Sequence, residues 1–212
     1  MRRLPVYLVL DVSGSMSGEP IEAVKNGLQL MHSALRKDPQ ALEMAYISII
    51  TFATDVSQIV PLTEVASFKP PAFSAGGGTS LGKALKVVTD CAKKEVAKST
   101  LEEKGDYKPL VFLMTDGQPT DSIDSGLNDF KAYSWGVVVA CAAGTGVDNA
   151  ILQKITNNIL LLDTCDTNKI AAFFKYVSSS ISTASKKVDA DGNLPGADQL
   201  PPPPPEISLL KL

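Results

Sequence analysis

The chain has 212 residues, a length that suits one domain able to bury a substantial core. Hydrophobic residues at 44% against 20% charged give an ordinary globular balance. A formal net charge of -3 excludes a chain built as a whole to bind polyanions, and the basic pairs Arg2-Arg3, Lys93-Lys94 and Lys186-Lys187 are too short to alter that.

Met1-Arg2-Arg3 followed by apolar Leu4 to Leu10 briefly imitates a secretory leader, but Asp11 ends the run and no small-residue cleavage site follows. Leu4 to Leu10 instead has the pattern of a central strand buried on both faces. A polar loop, Asp11 to Gly18, leads to Pro20, which suits the first turn of a helix. Ile21, Val24, Leu28, Met31 and Leu35 recur at helical spacing, so an amphipathic helix is predicted over about Glu19 to Arg36. Met44 to Phe52 and Val56 to Val60 read as strands joined by a short link, an antiparallel pair. Pro61, Pro70 and Pro71 break the chain into a loop ending in Gly76-Gly77-Gly78, and Leu81, Leu85, Val88, Ala92 and Val96 mark the next helix. Beyond it, Leu110 to Met114, Val137 to Ala140 and Ile159 to Leu162 are predicted strands. Helices are expected near 122–132, 149–156 and around Ile170 to Ile181. Alternating strands and helices predict an α/β fold: a doubly wound, mostly parallel sheet with one antiparallel edge strand and helices on both faces. In such sheets ligands bind at the carboxyl ends of strands near the switch in strand order, where the loops after Leu10 and Met114 fall.

Three loops offer oxygen ligands: Asp11-Val-Ser13-Gly-Ser15 after the first strand, Gly76-Gly-Gly-Thr79-Ser80 before a helix, and Thr115-Asp116-Gly117 after a buried strand. Hard cations such as Mg²⁺ take oxygen ligands in near-octahedral geometry. Two serine hydroxyls, a threonine and two carboxylates, with waters filling gaps, match that demand. The alternate spacing of Asp11, Ser13 and Ser15 lets an extended turn point all three inward, and the glycines allow close approach of the loops. The small, hydroxyl-rich set with few carboxylates favours Mg²⁺ or Mn²⁺ over Ca²⁺.

Asp-x-Ser-x-Ser, a downstream Gly-Gly-Thr, then Thr-Asp-Gly, in this order and context, resembles the metal-ion-dependent adhesion site of von Willebrand factor A domains. The order of elements over residues 4 to 185 is similar to that fold throughout. The resemblance implies that Ser13, Ser15 and Thr79 offer hydroxyls to the metal. It implies that Asp11 and Asp116 bind the metal directly or through waters, and that a partner's Asp or Glu fills the remaining position. It implies a protein-binding module without catalysis. Within the family, the short form, the Gly-Gly-Gly-Thr-Ser loop and the Pro-rich tail look like bacterial tellurium-resistance proteins. That implies a stress-response setting with a Ser/Thr kinase or phosphatase as partner.

Other chemistries fit less well. Gly77-x-x-x-x-Gly82-Lys83 nearly spells a phosphate-binding loop, but Ala84 stands where a hydroxyl should reach Mg²⁺. The rival class is a Mg²⁺-dependent phosphoryl-transfer or hydrolytic enzyme with Asp11 as nucleophile; Ser13 stands where its acid-base aspartate belongs. Met16 occupies the nucleophile position of a serine-hydrolase elbow. His32 is the single histidine and is expected on an exposed or boundary helix face, Trp135 is expected in the core, and zinc would need more nitrogen or sulfur ligands. Three sparse cysteines without C-x-x-C spacing suggest free thiols and a reducing, cytoplasmic setting. No run is long enough for a membrane span. The domain is expected to cover residues 1–186. Residues 187–212, with five consecutive prolines at Pro201 to Pro205, are expected to be a flexible Pro-rich tail outside the core.

Overall fold

The computed structural model describes residues 2–187 and 196–210. The elements are β1 (Leu4–Asp11), α1 (Glu19–Leu35), α2 (Pro39–Met44), β2 (Ala45–Phe52), β3 (Val56–Glu64), α3 (Leu81–Glu95), β4 (Leu110–Thr115), α4 (Asp124–Ala132), β5 (Val137–Ala143), α5 (Asn149–Ile155), β6 (Ile159–Leu162), α6 (Thr167–Lys186) and β7 (Ser208–Leu209). They form one sheet in the order β3-β2-β1-β4-β5-β6-β7. Pairing is parallel from β2 through β6 and antiparallel at both ends. The doubly wound sheet is as expected from the sequence; the second antiparallel edge, β7, comes from the segment read as a tail.

All eight residues of β1 are buried, as the continuous apolar run requires. Their alternation divides the interior in two. Leu4, Val6, Leu8 and Leu10 join Phe112 and Met114 beneath α1 and α6, whereas Tyr7 and Val9 join Val111 and Leu113 beneath α3 and α4. α1 lies on α6 so closely that a Cβ on Gly27 would stand 2.1 Å from the Phe174 ring. The short helix α2 escapes a periodicity reading because it has six residues, but its entry is signalled: Asp38 precedes Pro39 and accepts from the amides of Gln40 and Ala41.

Strand order reverses between β1 and β4. β1 leads through α1 to β2 on one side, while the crossover through α3 brings the chain back to the other side of β1 as β4. The crevice at the carboxyl ends of these strands is where a doubly wound sheet receives ligands.

The expectation of a tail separate from the core needs correction for the part described. Residues 188–195 and 211–212 lie outside the described residues. Between Gly196 and Leu210 the chain packs on the domain: Leu200 and Ile207 are buried in the core beside α6, and Ser208 and Leu209 pair with Leu161 and Leu160 of β6. The physical reason is that a proline run needs no backbone ladder of its own and can lie on a surface. Two apolar anchors and an unpaired strand edge are then enough to seat it.

Candidate metal centre

The three loops picked out in the sequence meet at the carboxyl ends of β1 and β4. Asp11 is the last residue of β1 and 1% exposed. One carboxylate oxygen accepts from the Ser13 amide at 2.8 Å and the other from the Thr115 hydroxyl at 2.6 Å. The first bond folds the loop back on itself, and the second ties the end of β1 to the end of β4. Past Ser13 the chain is not extended, as the alternate spacing suggested, but makes a 3-10 turn over Gly14–Met16. That turn brings the Ser13 and Ser15 hydroxyls within 3.0 Å of each other. Both reach Asp116: Ser15 donates to its Oδ1 at 2.8 Å, and Ser13 stands at 3.5 Å from the same oxygen.

The second loop is stitched to the first by backbone. The Gly76 amide donates to the Val12 carbonyl at 2.8 Å and the Gly14 amide to the Gly77 carbonyl at 2.9 Å. Gly77 has φ +82°, and a Cβ there would also stand 2.6 Å from the Thr54 hydroxyl, so the position demands glycine twice over. Thr79 follows, 6% exposed, its amide donating to the Thr120 hydroxyl at 3.0 Å and its carbonyl accepting from the Thr120 amide at 2.9 Å. The Thr79 hydroxyl faces Gly117, 3.6 Å from where a Cβ would project. Asp121 closes the junction by accepting from the Gly82 and Lys83 amides at the start of α3.

Hydrogen bonds thus join Asp11, Ser13, Ser15 and Asp116 into one cluster, and Thr79 stands on the neighbouring loop beside Gly117. Four residues that hold it were missed: Thr54, Thr115, Thr120 and Asp121. Thr115 was within the Thr-Asp-Gly motif and could have been found, since a strand's last side chain beside a buried carboxylate needs to be a donor. Thr54, Thr120 and Asp121 act across loops and leave no local pattern.

The donors suit a hard cation. Burial pushes the Asp11 carboxyl above the usual range; hydrogen bonds from Ser13 and Thr115 oppose this, and the neighbouring Asp116 charge adds to it. A cation between the carboxylates would relieve both burial and repulsion. Among the described residues no three His, Cys, Asp or Glu side chains gather into a group that could hold a metal ion. His32 does not contribute: its Nε2 lies 3.2 Å from the Val65 carbonyl and its ring meets Phe68 edge-on. All three cysteines are free; Cys141 is buried, Cys91 and Cys165 half-buried. Trp135 is half-buried in an aromatic group with Tyr7, Phe130 and Tyr133.

The strand order and its helical crossovers define a doubly wound α/β domain. The von Willebrand factor type A domain model matches residues 6–180, and the chain belongs to that family. Domains of this family are commonly metal-dependent protein-interaction modules. An uncharacterized protein of Synechocystis is 32% identical over 124 residues, covering 55% of this chain and 26% of that protein. The E3 ubiquitin-protein ligase WAVH1 of Arabidopsis thaliana is 31% identical over 133 residues, covering 55% of this chain and 18% of the ligase. This chain thus spans about a quarter or less of those relatives. Among solved structures, proximal thread matrix protein 1 from the mussel byssus superimposes with a TM-score of 0.61 at 21% identity, over 84% of this chain and 48% of that one. The same mussel protein is known with a zinc-occupied MIDAS motif, at a TM-score of 0.57 and 19% identity over 87% of this chain and 46% of that one. No helix among the described residues is long and apolar enough to cross a membrane.

Proposed function

We propose that Asp11, Ser13, Ser15, Thr79 and Asp116 hold one divalent cation, Mg²⁺ or Mn²⁺ in preference to Ca²⁺, and that this ion binds an acidic side chain of a partner protein. The observation that carries the reading is the convergence of the Ser13 and Ser15 hydroxyls on Asp116 above the anchored Asp11. Ser13, Ser15 and Thr79 would supply neutral oxygens; Asp11 and Asp116 would supply charge directly or through water. Two carboxylates offset the ion's charge without overwhelming it, so an incoming Asp or Glu is still attracted. Ser15 is exposed at the rim, which leaves that side of the ion open to a partner.

The partner is proposed to belong to a stress-response system of the bacterial tellurium-resistance kind, with a Ser/Thr kinase or phosphatase as the first to try. The supporting features are the Gly76-Gly-Gly-Thr-Ser80 loop and the proline run; the free cysteines suit a cytoplasmic location. The rival reading, phosphoryl transfer through Asp11, has less support. A nucleophile has to reach its substrate, whereas Asp11 is buried with both oxygens engaged.

Calorimetry with Mg²⁺, Mn²⁺, Ca²⁺ and Zn²⁺ tests the site. Asp116→Ala and Ser13→Ala should each weaken binding by at least about tenfold; unchanged affinity in both would sink the assignment. A pull-down in Mg²⁺ and in chelator tests the partner, which should be lost on chelation and with Asp116→Ala. Turnover of a generic phosphate ester, abolished by Asp11→Asn, would favour the enzyme instead.

A further inference from the structure

The outer edge of β6 and the adjoining face of α6 are covered by residues 196–210 of the same chain. We propose that they form a docking groove for a proline-rich strand, filled here by this chain's own residues 196–210 and open to exchange for the same segment of a second copy.

The seat has two kinds of contact. Strand pairing joins Leu209 to Leu160 and Ser208 to Leu161, and the Leu210 amide donates to the Ile159 carbonyl at 2.9 Å. Apolar anchoring comes from Leu200 and Ile207, 9% and 5% exposed. Between them the prolines cross Val139, Leu160 and Tyr176. Two lysines clasp the ends through backbone carbonyls: Lys169 donates to Glu206 at 3.1 Å and Lys187 to Gln199 at 3.4 Å. This is strand addition to a sheet edge, in which main-chain bonds hold the segment and side-chain pockets select it.

The hold is short and the fit is open. β1 and β2 share eight ladder pairs, whereas β6 and β7 share two. Open surface grooves of about 480 Å³ and 490 Å³ flank the segment, one lined by Leu200 and the first three prolines, the other by Pro205 and Ser208. Leu209 is 52% exposed. Elements with few buried contacts open without global unfolding. Once the segment lifts, β6 presents an unpaired edge beside an apolar surface, which is a template for another strand. A second copy carries the same segment and can restore each of these contacts, so exchange costs association entropy and little else.

The test uses the full chain. Ile207→Asp should unseat the segment, and a labelled peptide of residues 196–210 should then bind the variant at least about tenfold tighter than the wild-type chain, whose own segment competes at high effective concentration. Light scattering should show wild-type dimers growing with concentration and none in the variant. The proposal is overturned if the folded variant ignores the peptide, if it binds an unrelated proline peptide equally well, or if dimers persist in it. Should Ile207→Asp fail to fold, hydrogen exchange on the wild-type chain decides. The Leu210 amide should exchange well ahead of the β1 amides, and equal protection of the two refutes a detachable segment.

Discussion

The centre and the outer edge of this sheet are built to opposite standards. β1 is paired on both sides and packed on both faces, so the position of its last residue, Asp11, is over-determined. β7 is paired on one side through two residues and leaves Leu209 largely in solvent. The difference teaches where each kind of binding can live. A metal needs oxygens placed to a fraction of an ångström, which only the packed centre can provide; an exchangeable peptide needs a seat that can be vacated.

Phe112→Ala should cost the most, about 4 kcal/mol, because the ring is 1% exposed in the middle of β4 and its loss leaves a cavity that a rigid sheet cannot close. Urea unfolding measures it, and a loss below that of any edge substitution would undo the contrast. Ile207→Ala should cost no more than about 2 kcal/mol, and exchange protection should fall at β6 and β7 while β1 and β4 stay unchanged. Thr115→Val removes the hydroxyl that fixes Asp11 and should lower Mg²⁺ affinity about tenfold with the fold intact; titration calorimetry beside circular dichroism separates the two effects.

The smallest expected effect lies away from both regions, at Asp38. Burial pushes its carboxyl up, but bonds from Lys186 and Ser182 and the amide of Ala41 outweigh this and hold it below the usual range. Lys186 Nζ stands 2.5 Å from Asp38 Oδ2. A depressed carboxyl contributes stability above its ordinary value of about 3.9 and loses it as pH falls through the lower folded value. Asp38→Asn should therefore cost about 1 kcal/mol at neutral pH, and the wild-type and variant melting temperatures should converge in acid. A difference that persists below about pH 3 would mean the loss is one of packing.

How much of this was legible in the sequence follows the same division. Leu4 to Leu10 announces β1 because burial on both faces leaves no polar alternation, and the helices announce themselves by one-sided spacing. The loops of the five proposed oxygen donors were readable because they sit directly beside those elements. What holds the donors was not: Thr54, Thr120 and Asp121 act on residues 24 to 41 positions away, and such bonds leave no trace in a local pattern. β7 was hidden for a related reason. Ser208-Leu209 is too short to show alternation, and it is a strand only because the edge of β6 waits for it.

One contact between helices bears on how this domain can vary. A Cβ on Gly126 would stand 1.9 Å from the Gly82 carbonyl, and one on Gly82 would stand 2.2 Å from the Ser122 carbonyl. Main chain therefore rests on main chain where α3 meets α4, just behind the two loops that carry Thr79 and Asp116. A gap set by side chains drifts as their rotamers hop, whereas a gap set by backbone has nothing to hop. The two loops are thus gauged against each other by a hard stop, independent of what decorates the outer faces of the two helices. Those outer faces are free to be rewritten for a different partner while the spacing of the oxygens stays as it was.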